Sequence, residues 1–171
     1  MRPRLLDRVP ARYRARLLRL GFNLYPSYRA SGGRVIHVSD DLRTIRIRLR
    51  HSWRTVNPAG ALFGGALYAA TDPMFAMLLA IGLGDGYVVW DKAGSIRYRR
   101  PGRTHLYADF HVSEQDVEAV RKALAVSGET ERSFSVALTD AQGRLHVELE
   151  KTVYIATQAC YKAKLEQRST R

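Results

Sequence analysis

One acid stands alone in the most apolar part of the chain. Positions 57 to 73 read NPAGALFGGALYAATDP, a run of small and apolar residues broken by glycine and proline that ends in Asp72 and Pro73. A residue before proline is pushed out of the helical region and the proline forfeits a backbone hydrogen bond, so a helix crossing this stretch is expected to kink or restart at 72–73. Two roles follow for the carboxylate. It could cap the second half of the broken helix, accepting from amides two or three residues on. Alternatively it faces a gap: Gly65, Ala69, Asp72 and Ala76 share one helical face, and three of them have almost no side chain, so a partner helix or a slender ligand can come close. Upstream, Gly64 and Gly65 after Phe63 would place amides at a helix N-terminus, where unpaired N–H groups and the dipole attract an oxyanion. An acid with amide donors is the minimum equipment for transferring an acyl group to water. The apolar window beside Tyr68 and Phe75 would house the acyl chain.

The elements that must hold these residues are legible from periodicity. Val9, Tyr13, Leu17 and Leu20 recur at three- and four-residue intervals, which predicts an amphipathic helix ending at Gly21, with arginine on its other face. RVIHVSD and LRTIRIRLR flank an Asp40-Asp41 turn, and the second alternates strictly, predicting a β-hairpin with one wet face. After the apolar stretch come a long strand, YVVWDKAGSIRYRR, bent near Gly94; a strand THLYADFHV; a short helix begun by Ser113; and a pair, RSFSVAL and RLHVELEKTVYIAT, joined across Asp140 to Gly143. A helix apolar all round must be buried, so the strands are expected to wrap it. Residues 1–171 form one domain, with an N-terminal helical extension over 1–29 and a basic C-terminal tail over 158–171 whose last eight or so residues read as disordered.

Composition narrows the classes. The net charge of +12 comes from 28 cations against 16 acids, and 23 of those cations are arginine. Such a skew gives either a solvated basic surface or a partner bearing phosphates: a nucleotide-containing molecule, a nucleic acid or an anionic lipid surface. The arginines are spread over both termini and several strands while the unusual chemistry gathers near Asp72, so a pocket is favoured over a nucleic-acid or anionic-membrane module. The lone Cys160 allows no intrachain disulfide, and a reducing cytoplasm is the expected location. The Arg-rich first twenty residues lack the apolar core of a secretory signal, although they could pass for a mitochondrial transit peptide. Positions 59–84 are apolar enough to tempt a transmembrane reading, which Asp72, Pro73 and five glycines oppose.

The same stretch resembles the central-helix motif of hotdog-fold thioesterases, particularly the phenylacetate-pathway branch. There an Asn is followed after five residues by His-Gly-Gly, and an acid stands eight positions beyond the first Gly. Asn57, Gly64, Gly65 and Asp72 match these spacings, and VVWDKAGSIRYRRPG is similar to the strand that follows. The likeness runs from about residue 30 to 157 and is nearest to a branch carrying FGG and WDK. It implies an α+β fold, an antiparallel β-sheet wrapped around a long central α-helix, in a homodimer or a dimer of dimers whose sites form across the interface. By the same resemblance Asp72 is general base or nucleophile, the Gly64 amide polarises a thioester carbonyl, Asn57 orients water or substrate, and Asp91 takes a position where relatives place a water-positioning Ser or Thr. An acid at 91 would raise the pKa of Asp72 if the two are close; it could equally pair with Lys92 or Arg97. Arg97, Arg99, Arg100 and Arg103 lie where the family holds the phosphates of coenzyme A, here part of the substrate, and no other cofactor is implied. Phe63 departs from the motif: it takes the place of the His, so any step through an imidazole there is closed.

Other features carry less. His105, Tyr107, Asp109 and His111 share a wet strand face, and Asp109 with His111 lack a third ligand, so no metal site is expected. Lys151 falls in the apolar phase of the last strand, where a bulge is the commonest cause and a ligand contact the rarer one. The expectation is a thioesterase acting on an acyl-CoA-type substrate, with a non-catalytic acyl-ligand binder as the alternative.

Overall fold

The computed structural model describes residues 9–169. Helix α1 (Ala11–Leu24) and the short α2 (Pro26–Ala30) lead into a hairpin of β1 (Gly33–Val38) and β2 (Thr44–Leu49). The central helix follows in two pieces, α3 (Gly64–Ala69) and α4 (Met74–Leu83). Strands β3 (Tyr87–Tyr98) and β4 (Leu106–His111), helix α5 (Glu114–Ser127), strands β5 (Glu129–Thr139) and β6 (Leu145–Thr157), and helix α6 (Gln158–Ser169) complete the chain. All six strands form one sheet in the order β1-β2-β4-β5-β6-β3, and every pairing is antiparallel.

The sheet curls round α4 as the apolar helix requires. Met74, Phe75, Leu78, Leu79 and Leu83 are all buried. Phe75 anchors the contact, stacked on Phe134 with ring centroids 4.7 Å apart and meeting Phe110 edge-on at 5.1 Å. The stretch Gly64–Leu83 is long and apolar enough to cross a bilayer, yet it is the core helix of this sheet. Ser113 begins α5 with a reciprocal capping box: its hydroxyl accepts from Asp116 N–H while the Asp116 carboxylate accepts from Ser113 N–H.

The two edges of the sheet are treated differently. At β1 the Asn23 amide pairs with the Val35 backbone as a strand would, donating to its carbonyl at 2.8 Å and accepting from its N–H at 2.9 Å, so α1 covers that edge. The twelve-residue β3 forms the other edge, and no strand of the described residues lies beyond it.

Four expectations change. Helix α1 runs past Gly21 to Leu24, and it packs through Ala15, Leu18 and Phe22, while Tyr13, Leu17 and Leu20 face solvent. The irregularity in β3 falls between Asp91 and Ala93, one pleat before Gly94. The stretch begun at Ser113 makes a fourteen-residue helix. The C-terminal tail is helical through Ser169, its first turn packing Cys160 near Gly128 and its next placing Tyr161 edge-on to Trp90. Of the first twenty residues, on which the transit-peptide reading rests, 1–8 lie outside the described residues.

Candidate functional site

The break in the central helix sets the site. Pro73 has no N–H to donate, and the turn between α3 and α4 closes instead through Thr71, whose hydroxyl donates to the Tyr68 carbonyl at 2.7 Å, and through Met74 N–H to the Thr71 carbonyl at 3.2 Å. Asp72 does not cap α4: no side chain hydrogen-bonds to its first turn. The carboxylate is half exposed in the single chain and lines a cavity of about 640 Å³ between the central helix and the N-terminal helices. Leu18 and Phe22 of α1, Tyr28 of α2, and Pro73 and Met77 form the apolar walls.

Three charged groups converge here. Lys151 is 2% exposed, and its Nζ lies 3.1 Å from Asp91 Oδ2 and 3.8 Å from Asp72 Oδ1. The ammonium also sits over the Tyr68 ring, 4.2 Å from its centroid. Burial, then a hydrogen bond with Asp91, push the Asp72 carboxyl up to about 6, against the opposing pull of Lys151. The expected influence of Asp91 on Asp72 is present, second to desolvation. A carboxylate titrating near neutrality is suited to accepting a proton from water.

Lys151 was expected to mark a bulge or, more rarely, a ligand contact, and it is the buried cation of this cluster. There is no bulge at this point of β6: Glu150, Lys151 and Thr152 pair in unbroken register with β5, and Lys151 points inward in phase with Leu149 and Val153. The intact alternation was the available signal; its partners, 60 and 79 positions away in sequence, emerge only from the fold. Asp91 pairs with this lysine, while Lys92 bridges to Glu131 instead. Gly94 opposite Lys151 makes room for both: a Cβ there would lie 2.4 Å from Tyr68 Oη and 3.2 Å from Lys151 Cδ.

The remaining residues fall in three places. Gly64 and Gly65 open α3, with Phe63 as its N-cap; the Phe63 ring is exposed and folds over Gly65, and Tyr98 Oη donates to the Gly64 carbonyl at 3.1 Å. Asn57 holds its own loop, Oδ1 accepting from Ala59 and Ala61 N–H, which leaves its Nδ2 amide. Phe75, expected beside an acyl chain, belongs to the aromatic core and lies outside the cavity that holds Asp72, because a helix hydrophobic all round turns its largest ring to the sheet. Tyr68 is engaged with Lys151 and Gly94.

The arginines beyond β3 divide. Arg99 pairs with Glu148 at 2.7 Å and Arg100 donates to the Leu145 carbonyl at 3.1 Å, while Arg97 and Arg103 make no ion pair among the described residues. Asp109 lies 3.6 Å from Arg46 and His111 bonds Thr44, and no group of three or more metal-ligating side chains occurs among the described residues.

Comparison with known proteins agrees with this architecture. PA5026 of Pseudomonas aeruginosa, a protein of unknown function named as a probable thioesterase, superposes with a TM-score of 0.75 at 19% identity, over 88% of this chain and 97% of its own. The thioesterase HI1161 of Haemophilus influenzae gives 0.60 at 13% identity over 80% and 87%, and a mutant of the Pseudomonas aeruginosa thioesterase PA1618 gives 0.62 at 14% over 82% and 93%. No curated protein matches the sequence. The family model for a domain of unknown function, DUF4442, matches residues 14–155. The antiparallel sheet wrapped on a broken central helix is the hotdog fold, and the chain belongs to the DUF4442 family.

Proposed function

We propose that the chain hydrolyses an acyl thioester of the coenzyme A type, with Asp72 as general base. The observation that carries this reading is the Asp72 carboxyl raised to about 6 in an apolar-walled cavity, with Asp91 and Lys151 beside it. Water gives a proton to Asp72 as its oxygen adds to the thioester carbonyl. The tetrahedral intermediate then expels the thiolate, which recovers that proton. The names of the similar structures support the reaction class.

Gly64 opens α3 and Asp72 stands in the turn past its other end, so the helical part alone separates them by about 9 Å at roughly 1.5 Å per residue, too far to act on one carbonyl. A site using both needs a second copy, and the open β3 edge offers the surface for a homodimer, singly or as a dimer of dimers. In that assembly the Gly64 amide of the second copy faces the developing oxyanion, and Asn57 Nδ2 orients a reactant. Arg97 and Arg103 receive the phosphates, Arg99 and Arg100 being already engaged. The unpaired Cys160 supports a cytoplasmic location.

The test is free-thiol release from a panel of acyl-CoA substrates by the parent and by Asp72→Ala. Turnover by the parent alone supports the reading, and activity unchanged by the substitution removes the mechanism. No turnover with retained acyl-CoA binding supports a carrier instead, the alternative that Phe63 in place of an imidazole favours.

A further inference from the structure

Helix α1 has two apolar faces, and the fold uses only one. Ala15, Leu18 and Phe22 pack into the core. At 100° per residue, Tyr13, Leu17, Leu20 and Leu24 fall within roughly 60° of one another on the opposite side. They are 44%, 38%, 51% and 59% exposed, and Tyr25 extends the row at 57%. A helix needs one apolar face to join a core, and the second is left uncovered by the described residues.

Beside this stripe lies a cleft of about 1260 Å³ between α1 and the β1–β2 hairpin. Among the described residues seven arginines line it, including Arg16 and Arg19 of α1 and Arg34, Arg48 and Arg50 of the hairpin, and no carboxylate does. None of the seven is in an ion pair among the described residues. Codon bias alone would scatter arginine, whereas here the cations are gathered against their mutual repulsion. At the rim stands Trp53, 82% exposed.

We infer that this face docks on an anionic lipid bilayer, with α1 lying in the plane of the interface. Its leucines and Trp53 would enter the headgroup–acyl boundary and the arginines would meet lipid phosphates, the pairing of apolar stripe and cationic flank that interfacial helices use. A nucleic acid would engage the arginines but gain nothing from a stripe of leucines in water. A second copy in an isologous contact would set arginine against arginine. Nothing in this docking depends on the chemistry at Asp72.

The test is co-sedimentation of the full chain with vesicles of phosphatidylcholine mixed with phosphatidylglycerol, and with phosphatidylcholine alone. Binding to the mixed vesicles only, falling as salt rises, is expected. In a Trp90→Phe chain, where Trp53 is the sole tryptophan, emission should shift to the blue on binding. Leu20→Glu with Leu24→Glu should weaken binding at least about tenfold, and Arg16→Ala with Arg19→Ala roughly thirtyfold; both pairs are exposed, and thermal melting checks that each folds. Absence of binding to the anionic vesicles, equal binding to neutral ones, or binding indifferent to both pairs overturns the inference. So does tight binding of a single-stranded oligonucleotide unaffected by the leucine pair, or a leucine pair that changes the mass of the assembly and not vesicle binding.

Discussion

Asp72 and Asp140 are both acids at breaks between regular elements, and both have a cation within 4 Å, yet they are built for opposite ends. Asp140 turns the chain from β5 to β6 with its side chain wholly buried. It accepts from the N–H groups of Gln142 and Arg144, from Arg144 Nε at 2.7 Å and from His146 Nε2 at 3.2 Å. Those donors hold its carboxyl well below the usual carboxylate range despite burial. Asp72 receives no backbone N–H in the turn it occupies; its neighbours are a lysine at 3.8 Å and a second acid, and its carboxyl is raised. A carboxylate saturated with donors is part of the architecture. One denied them keeps an affinity for protons that chemistry can use.

The two acids should differ most in activity. Asp72→Asn should lower kcat of thioester hydrolysis by roughly a hundredfold to ten-thousandfold, the usual contribution of a general base, with the melting temperature unchanged or higher. Asp140→Ala should do the reverse, lowering the melting temperature by several degrees while leaving turnover at low temperature near that of the parent, because four donors lose their acceptor. If Asp140→Ala abolishes the proposed turnover without loosening the fold, the division between the two acids fails.

Smaller effects concern pH. The proposed role of Asp72 as base predicts an acid limb in kcat/KM near pH 6. Lys151 pulls that pKa down, so Lys151→Met should move the limb to higher pH; Asp91 pushes it up, through its hydrogen bond and its charge, so Asp91→Asn should move it lower, by at least as much as the lysine change. Stability carries the same signature with opposite signs. The raised Asp72 adds stability that is full below its unfolded pKa and is lost as pH rises through about 6. The depressed Asp140 adds stability that is present above its unfolded pKa and is lost in acid. Melting curves of Asp72→Asn and Asp140→Asn between about pH 2 and pH 7 compared with the parent separate the two, the first flattening the fall above about pH 4 and the second the loss below it.

The strands were legible because alternation and turn residues are local signals: Ile45, Ile47 and Leu49 point inward as their spacing demands, and Asp140 to Gly143 make the turn between β5 and β6. The helix break at Asp72 was legible for the same reason, since proline acts on its immediate neighbour. Register was not. Asp91 meets Lys151 because β3 pairs with β6 and the irregularity after Asp91 sets where each side chain falls, a fact of pairing that no local window holds. Nor could α1 declare its inward face, since two apolar rows run along it and residue type alone does not say which meets the core.

The central claim is that Asp72 is a carboxyl kept short of donors. The most direct measurement is a pH titration of the aspartate side-chain carboxyl carbons by NMR, in the parent and in Asp72→Asn. One resonance titrating near pH 6 in the parent and missing from the variant is the predicted result. A resonance lost on substitution that instead titrates at or below the ordinary aspartate value, about 3.9, would contradict it.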